Sequence, residues 1–473
     1  MIFLDRNSEM ERLSRLAVRR SSGLVALWGR RRVGKTRLLS EWCRNHNGLY
    51  TVADQSAESV QRRYFAEAVS EKLPAFNDVE YPDWISLLRR LSVDARALGW
   101  KGPLVLDEFP HLVVASPSLP SVLQNWVDRE AATDGLLVAI AGSSQSMMQG
   151  LVLEDSSPLY GRAVEAFALS PIPAGWICEA LGVSDPTTAL QSYAVWGGIP
   201  RYWELAAPFG SALDDAVDTL ALDPLGALHT EPDRLLREET PSALSLRPLL
   251  DVIGNGCNRM SEIAGRLGCP ATSLSRPVGR LQELGLVTRE IPFGEMEKSS
   301  KRALYRMSDP FCAFWFRVVA PHRGFLAGAA PAARKHLWQM SKPALVARTW
   351  EILCRAAIPA LATQQPDNST TEPLTHWQPA SRWWHGAAPE WDVVSTSMDG
   401  RQGAVGEVKW GETPFDDAAI NRLVRSMASR PLPPGLPPDV KRFVFVPSVS
   451  SNTATTNEGV EIITATQVFA ALR

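Results

Sequence analysis

A short glycine-bounded loop near the start of the chain constrains the fold more than any other feature. Residues 24–28 form an apolar run, Gly29 and Gly34 bound the loop, and Lys35 and Thr36 open an amphipathic stretch. This is the pattern G-x-x-x-x-G-K-T between a strand and a helix, where loop N–H groups and the helix N-terminus face a phosphate. The sequence therefore predicts a nucleotide site with Lys35 at the β- and γ-phosphates and Thr36 at Mg²⁺. The alternative, an ordinary strand–turn–helix, is disfavoured because glycine is uncommon enough to make a chance match rare.

Composition sets the broad class of the protein. The chain has 473 residues, 45% hydrophobic and 21% charged, and a net charge of −2. These values are typical of soluble globular domains and argue against a wholly basic nucleic-acid coat, although a local patch fits within that total. The six cysteines form no C-x-x-C pair, which disfavours a zinc site or disulfide framework and predicts a cytoplasmic protein. We expect no membrane partner, because no apolar run is long enough to span a bilayer and the first residues do not resemble a signal peptide.

Strand candidates alternate with helix candidates after the P-loop. The apolar runs that predict strands are at 49–53, 103–109 and 136–142, and the helical patterns are at 59–73, 84–98 and 121–129. This alternation predicts an α/β fold with a parallel, doubly wound sheet. The strand signal stops between about Pro173 and Glu239, where amphipathic helices predict a helical lid.

Two acids end the strand candidate at 103–109. Asp107 matches a Walker B acid, which holds the Mg²⁺ shell, and Glu108 is placed to polarise the attacking water. An Asp–Glu pair alone is commonly a solvated turn, but acids at the end of a buried strand downstream of a P-loop are stronger evidence. Ser143 or Ser144 ends the next strand candidate and either senses the γ-phosphate or caps a helix.

Six segments, in chain order, resemble the archaeal-type ATPases, relatives of the signal-transduction ATPases with numerous domains and of origin-recognition initiators in the AAA+ group. They are residues 3–9, 24–36, 104–109, 141–144, 158–162 and 197–200. The resemblance covers roughly residues 1–240 and implies ATP as the nucleotide. It also implies that Arg6 lies near the nucleotide and that a lid motif ending in Pro200 contacts it. Arg162 either supplies charge to the transferring phosphoryl group or is an ordinary surface arginine.

The middle of the chain has the pattern of three helices and a hairpin. Helix candidates lie at 244–253, 261–268 and 272–284, and strand candidates at 286–291 and 303–307 flank a polar loop. This predicts a winged helix-turn-helix whose third helix presents to a major groove Thr272, Ser273, Ser275, Arg276 and Arg280. Pro277 predicts a helix start near Ser275 or a kink. Residues 240–310 carry ten Arg or Lys against seven Asp or Glu, a net of +3, so DNA contact and packing as a regulatory lid both stay open.

The last part of the chain carries a second constellation of charged residues. Strand candidates lie at 381–385, 390–394 and 404–410. Glu407 and Lys409 share one strand face because they are two residues apart, and Asp392 lies on the neighbouring strand. Two carboxylates can bind a divalent cation, and the lysine can position the attacking water. This is the D-x(n)-E-x-K pattern of PD-(D/E)xK nucleases, to which Glu351, on a helix candidate, would add a further carboxylate.

The sequence around these residues resembles a C-terminal domain of unknown function that accompanies archaeal-type ATPases and looks like a restriction-endonuclease fold. The resemblance covers about residues 326–473 and rests on segments 382–384, 390–394, 406–410 and 443–446, with a helix from Asp416. Two acids with one lysine predict a net negative pocket suited to a cation. The alternative is a fold retained for packing after loss of cleavage.

These patterns predict four domains and one combined function. The domains are a P-loop ATPase core at 1–172, a helical lid at 173–239, a winged helix-turn-helix at 240–325 and a nuclease-like α/β domain at 326–473. We expect an ATPase that uses ATP and Mg²⁺ and couples nucleotide state to metal-dependent cleavage of nucleic acid. The alternative is a nucleotide-gated DNA- or protein-binding module without nuclease activity. A homo-oligomer is compatible with the sequence but not determined by it.

Overall fold

The computed structural model divides the chain into two compact units. The N-terminal unit comprises residues 5–171 and 237–241, and the C-terminal unit comprises residues 1–4, 172–236 and 242–473. The residues that the structure describes are 3–19, 22–239, 245–296, 300, 302–362, 375–386, 388–450, 456–457 and 459–473. Among these residues, we find no helix with the length and apolar character needed to cross a membrane.

A five-stranded parallel sheet forms the centre of the N-terminal unit. Its strands are β1 (Gly23–Trp28), β2 (Leu49–Val52), β3 (Leu104–Asp107), β4 (Leu137–Gly142) and β5 (Ala163–Ala168), in the order β2-β3-β4-β1-β5. β4 is buried along its whole length and β1 along all but its first residue, as expected for central strands covered on both faces. The helices are Asn7–Val18, Lys35–Asn45, Glu58–Val69, Trp84–Leu98, Phe109–Ala115, Leu119–Trp126, Ala132–Asp134 and Gln145–Leu153. The predicted α/β class with a parallel sheet is confirmed.

Two local differences from the sequence prediction have simple physical causes. β5 was not predicted because its residues alternate between partly buried and exposed, so it lacks the apolar run of a central strand. The strand predicted at 103–109 ends at Asp107, since Glu108 adopts a left-handed conformation with φ of 53° and a helix begins at Phe109.

The chain after residue 172 begins with helices, as predicted for the lid. The helices up to residue 361 are Ile177–Leu181, Pro186–Trp196, Pro200–Ala206, Leu213–Val217, Glu231–Glu239, Arg247–Gly254, Met260–Leu267, Ser275–Glu283, Pro310–Phe314, Arg323–Leu326 and Pro331–Leu361. Trp196, Tyr202 and Trp203 are fully buried among them. The last helix, which carries the predicted helical residue Glu351, is 31 residues long and continues through Pro343.

Three helices and a hairpin follow in the order expected of a winged helix-turn-helix. The hairpin consists of β6 (Val287–Glu290) and β7 (Leu304–Met307), which pair antiparallel. The third helix begins at Ser275, so Pro277 lies in its first turn, where the helix needs no N–H donor. Leu244 and the wing-loop residues 297–299 and 301 lie outside the described residues.

A separate six-stranded mixed sheet forms the end of the chain. Its strands are β8 (Ser381–Trp383), β9 (Trp391–Thr396), β10 (Gln402–Val408), β11 (Asp439–Phe445), β12 (Thr456–Asn457) and β13 (Val460–Ile463), in the order β12-β13-β11-β10-β9-β8. β8, β9 and β10 pair antiparallel, whereas β10, β11 and β13 pair parallel. Two further helices, Asp417–Ala428 and Ala465–Ala471, complete this part of the chain. Trp391, Val405 and Val444 pack with Ile420 and Val424 into its hydrophobic core.

Candidate active sites

The P-loop connects β1 to the helix Lys35–Asn45. Gly29 and Gly34 have φ of 152° and 103°, and a Cβ at Gly29 would lie 2.6 Å from the carbonyl oxygen of Leu169. Glycine is therefore required at the start of the loop for both conformation and space. The Lys35 ammonium donates to the carbonyl oxygens of Gly29 at 2.7 Å and Arg30 at 3.3 Å. It thus lies over the loop whose N–H groups are predicted to face the phosphates.

Arg6 holds the P-loop from the side of the first helix. Its guanidinium donates to the carbonyl oxygens of Val33 at 3.1 Å and Ser170 at 2.6 Å, and it pairs with Glu9 at 3.1 Å. Arg6 is only 4% exposed, so these contacts fix its position. The structure therefore places Arg6 against the P-loop backbone, and its contact with the nucleotide stays a prediction.

Asp107 ends β3 beside the P-loop threonine. The Thr36 hydroxyl donates to Asp107 Oδ2 at 2.8 Å, the Tyr50 hydroxyl donates to the same oxygen, and the Glu108 N–H donates to Oδ1 at 2.9 Å. Hydroxyl and carboxylate oxygens are the ligands that Mg²⁺ prefers, so Thr36 and Asp107 fit the predicted metal. Burial, with the Asp107 charge beside it, raises the pKa of Tyr50 above its usual range. Sequence reasoning missed Tyr50, because nothing in the pattern distinguishes it from an ordinary strand residue.

Glu108 and Ser143 are brought together by the order of the strands. β4 lies between β3 and β1, so the residue after β4 lies next to the residue after β3. The Ser143 hydroxyl donates to the Glu108 carboxylate at 2.9 Å, and the Ser143 N–H donates to it at 3.2 Å. Ser144 occupies the N-cap position of the helix Gln145–Leu153. Ser143 therefore contacts the Glu108 carboxylate, whereas Ser144 lies at the start of a helix.

Two further predicted nucleotide contacts lie farther along the chain. Arg162 precedes β5 and pairs with Asp128 at 3.0 Å, with about a third of its side chain exposed. A partly exposed arginine in an ion pair is what the alternative interpretation, an ordinary surface arginine, predicts. Pro200 begins the helix Pro200–Ala206 in the C-terminal unit. The nucleotide contacts of Arg162 and Pro200 stay predictions.

The C-terminal sheet brings the second constellation together. β9 and β10 pair antiparallel, and the last pair of their register joins Gly406 to Val393. Asp392 and Glu407 are the next residues along the two strands, so the sheet brings the two carboxyl-bearing residues to the same end of the ladder. The Lys409 ammonium is 2.8 Å from Glu407 Oε1. The Val408 N–H donates to Asp392 Oδ2 at 3.0 Å.

Asp392 is a carboxyl group with an unusual affinity for its proton. Burial raises its pKa from the ordinary 3.8 to about 6, although the Val408 N–H opposes the shift. The charges of Glu351 and Glu407 raise the pKa further, and Lys409 lowers it. A buried carboxyl group with a raised pKa is a feature of sites that bind cations or exchange protons.

The prediction of a net negative pocket is wrong, because a second cation enters it. Arg430, from the proline-rich loop, lies 2.7 Å from Glu407 Oε2, and its guanidinium lies 4.9 Å from the Trp391 ring centroid. Lys409 and Arg430 together neutralise the charges of Asp392 and Glu407. Sequence reasoning missed Arg430 because only the fold brings this loop to β10.

Glu351 lies on the long helix Pro331–Leu361 and has its own partner. It pairs with Arg355 at 3.8 Å, and Arg355 also donates to the backbone carbonyl of Asp392 at 3.1 Å. The described residues contain no group of three or more His, Cys, Asp or Glu side chains arranged to hold a metal ion. A cation at this sheet would therefore depend on Asp392 and Glu407, and metal ligation by Glu351 stays a prediction.

The wing hairpin packs against the C-terminal sheet, whereas the third helix faces solvent. Glu290 of β6 lies 2.9 Å from Arg306, 3.6 Å from Arg355 and 3.8 Å from Arg382. The Phe293 N–H donates to the carbonyl oxygen of Arg382 at 2.7 Å. Of the groove-facing candidates, Thr272 and Ser273 lie in the turn before the third helix, not on it as predicted, and Ser275 and Arg276 lie in its first turn. All four are exposed, and the half-buried Arg280 pairs with Glu283 at 2.9 Å.

Two family models match parts of the chain. A family of ATPase domains predominantly from Archaea matches residues 3–172, and a family described as Archaea bacterial proteins of unknown function matches residues 315–421. An uncharacterized protein of Methanocaldococcus jannaschii is 25% identical over 448 residues, which cover 94% of this chain and 95% of that protein. The resemblances to archaeal-type ATPases and to a C-terminal domain of unknown function are confirmed for the matched ranges, and the nuclease-like character of that domain stays a prediction.

Solved structures place the chain among P-loop ATPase folds. The Walker-type ATPase of Pyrococcus abyssi aligns with a TM-score of 0.52 and 19% identity, covering 67% of this chain and 96% of that chain. The ORC2 protein of Aeropyrum pernix, solved as ADPNP–ADP complexes, aligns with a TM-score of 0.43 and 16% identity, covering 68% and 95%. The Pyrococcus alignment shows a shared fold.

Proposed function

We propose, from the match of residues 3–172 to a family of ATPase domains predominantly from Archaea, that ATP hydrolysis controls metal-dependent cleavage of nucleic acid by the C-terminal sheet. Each half of the proposal assigns roles to residues whose contacts are described above. ATP binding and hydrolysis belong to the N-terminal unit. Cleavage belongs to the residues at the ends of β9 and β10.

The N-terminal unit has a residue for each requirement of ATP hydrolysis. Lys35 places a cation on the β- and γ-phosphates, and Thr36 and Asp107 would hold Mg²⁺, which supplies charge to the phosphates when bound. Glu108 accepts a proton from the attacking water, and Ser143 keeps its carboxylate in place through two hydrogen bonds. Water attacks the γ-phosphorus, and the bond from that phosphorus to the β–γ bridging oxygen breaks.

One observation supports nucleic-acid cleavage above all others: Asp392 accepts the N–H of Val408, the residue after Glu407, and Lys409 lies 2.8 Å from Glu407. The two carboxylates would hold a divalent cation, which supplies positive charge to the phosphorane when bound. Lys409 then orients the water that attacks the phosphodiester phosphorus, and the bond to one bridging oxygen breaks.

A second candidate function is a nucleotide-gated binding module that does not cut. The observation that favours it is the Arg430–Glu407 contact at 2.7 Å, because it neutralises a carboxylate on which the cation would depend. In this function Lys409 and Arg430 serve as phosphate contacts on a surface that binds nucleic acid. The two candidates share the ATPase and differ in whether a phosphodiester bond breaks.

The deciding experiment incubates the purified full chain with ATP and Mg²⁺ or Mn²⁺ against single- and double-stranded DNA and RNA. Under the first candidate the wild type cuts at least one substrate, and Asp392→Ala and Lys409→Ala abolish cleavage while ATP binding persists. Glu412→Gln is the matched control, because Glu412 follows the same strand but is 58% exposed. Cleavage that survives both site variants contradicts the first candidate. ATP-dependent binding without any cleavage supports the second.

A further inference from the structure

Tyr50 approaches the Walker B carboxylate from the strand next to it. β2 pairs parallel to β3 with Val52 opposite Asp107, and Tyr50 lies two residues earlier on the same face as Val52. The Tyr50 hydroxyl donates to Asp107 Oδ2, the oxygen that also accepts from Thr36 at 2.8 Å. Oδ1 accepts the Glu108 N–H at 2.9 Å. Three donors from three segments therefore hold one carboxylate.

These three donors differ in what they can do for a bound ion. Thr36 is itself a candidate metal ligand, and the Glu108 N–H belongs to the backbone. Tyr50 contacts the carboxylate through a side chain that has no other assigned part in the chemistry. Groups that hydrogen-bond to a metal ligand fix its orientation, and their loss typically lowers metal affinity about 10- to 100-fold.

We propose that Tyr50 is a positioning residue for Mg²⁺ in the ATPase: its hydroxyl holds Asp107 Oδ2 next to the Thr36 hydroxyl. This inference rests on ATP hydrolysis by the P-loop unit. Because Thr36 donates its proton to Asp107, the lone pairs of its oxygen stay available to the ion. Tyr50 keeps the carboxylate in the rotamer that accepts this hydrogen bond.

The alternative role for Tyr50 is packing alone, through its aromatic ring. Tyr50→Phe separates the two, because it removes the hydroxyl and keeps the ring. Tyr64→Phe is the matched control: Tyr64 belongs to the same unit and is 43% exposed. Both variants are made in the full chain, and their thermal unfolding midpoints are expected to equal that of the wild type.

The test compares nucleotide binding with and without the metal. Tyr50→Phe should raise the Mg²⁺ concentration for half-maximal ATP hydrolysis about tenfold. It should weaken Mn²⁺ binding to the ATP complex by a similar factor, measured by electron paramagnetic resonance. Affinity for a fluorescent ATP analogue in EDTA should not change. Tyr64→Phe should leave all three quantities at wild-type values.

Other outcomes overturn the inference. An unchanged or lower Mg²⁺ midpoint in Tyr50→Phe excludes a positioning role. In the Asp107→Asn background the hydroxyl deletion should have no further effect on Mn²⁺ binding, because Tyr50 acts through that carboxylate. Additive losses in the double variant would instead indicate that Tyr50 acts elsewhere. If the wild type itself binds no ATP, the ATPase assignment fails, and this result is distinct from the failure of the Tyr50 role.

Discussion

At the scale of single residues, the chemistry of the N-terminal unit depends on side chains that follow parallel strands. Lys35 follows β1, Glu108 follows β3 and Ser143 follows β4, so the three lie at the same edge of the sheet. The Ser143 hydrogen bonds to Glu108 make this acid part of a pair. A carboxylate held this way has a fixed direction toward its water.

Replacing Glu108 tests its role as the base. Glu108→Gln should keep ATP bound but slow hydrolysis by about 10²- to 10⁴-fold, because an amide cannot accept the proton of water. Steady-state phosphate release gives kcat, and equilibrium binding of a fluorescent ATP analogue gives the affinity. Glu67→Gln, an exposed acid on the helix Glu58–Val69, is the control. Wild-type turnover in Glu108→Gln would show that another group polarises the water.

Cys43 provides a test of burial that is independent of the active sites. Burial raises the pKa of its thiol from the ordinary 9.0 to about 12, so the reactive thiolate is scarce at pH 8. Cys43 should resist iodoacetamide in the folded protein, whereas the partly exposed Cys257 and Cys269 should react. Peptide mass spectrometry measures the modified fraction. Because folding raises this pKa, the protonated thiol stabilises the folded state below pH 9. This stabilisation is lost as the pH rises toward 12.

At the scale of secondary-structure elements, the winged helix-turn-helix uses its two recognition elements differently. The third helix presents exposed polar residues, whereas the wing hairpin is engaged by the C-terminal sheet through Glu290 and Phe293. A wing held in this way is a structural connection within the C-terminal unit. In this arrangement the third helix presents exposed polar side chains with which a duplex can make contact.

Two arginines on the third helix test that contact. Arg276→Ala and Arg280→Ala should each weaken binding to duplex DNA and lower the salt slope of the affinity by about one unit, because each removes one phosphate contact. Fluorescence anisotropy across a salt series measures both quantities. Arg401→Ala, at a position where the side chain is 86% exposed, is the charge-matched control. If the affinity for duplex DNA changes neither with salt concentration nor in the two variants, the winged helix-turn-helix is instead a lid that contacts protein.

Glu290 tests the connection between the wing and the C-terminal sheet. Glu290→Gln removes the carboxylate shared by Arg306, Arg355 and Arg382. Arg355 keeps Glu351 and Arg382 keeps Glu390, so the loss falls mainly on Arg306 and should cost about 2 kcal/mol of the free energy of unfolding. The unfolding temperature should fall, and amide exchange should rise in residues 381–386. Glu283→Gln, whose side chain is 62% exposed, should change neither. An unchanged exchange pattern would mean that other contacts hold the wing, such as the bonds from Phe293 to Arg382 and from Arg302 to the carbonyl oxygen of Trp384.

At the scale of the whole molecule, the proposed function requires that nucleotide in one unit changes the behaviour of the other. The N-terminal unit carries the ATPase residues, and the C-terminal unit carries the third helix and the Asp392 site. Coupling of this kind is a free energy between two sites, so it disappears when either site stops binding.

Lys35→Ala tests that coupling. It should abolish ATP binding, because the cation at the β- and γ-phosphates is lost, and with it any effect of ATP on nucleic-acid affinity or cleavage. Anisotropy of labelled DNA with and without ATP measures the effect. Lys72→Ala, an exposed lysine of the same unit, is the control. An ATP effect that persists in Lys35→Ala would place the responsive site outside the P-loop.

Local patterns in the sequence predicted the P-loop, the acids at the end of β3, the helices after residue 172 and, as one of two alternatives, a third helix that starts near Ser275. Each depends on neighbours along the chain, namely glycine conformations, apolar periodicity and proline geometry, which a sequence displays directly. The edge strand β5 was not predicted, because a half-exposed strand lacks an apolar run.

Only the tertiary structure decided which groups complete the sites. Tyr50 reaches Asp107 across 57 residues of sequence, and Arg430 reaches Glu407 across 23. Glu290 meets Arg355 and Arg382 because the wing packs on the C-terminal sheet. These contacts depend on strand order, register and packing, and each joins residues whose types are common everywhere in the chain. A sequence pattern therefore does not predict these contacts, because the partners become neighbours only in the folded chain.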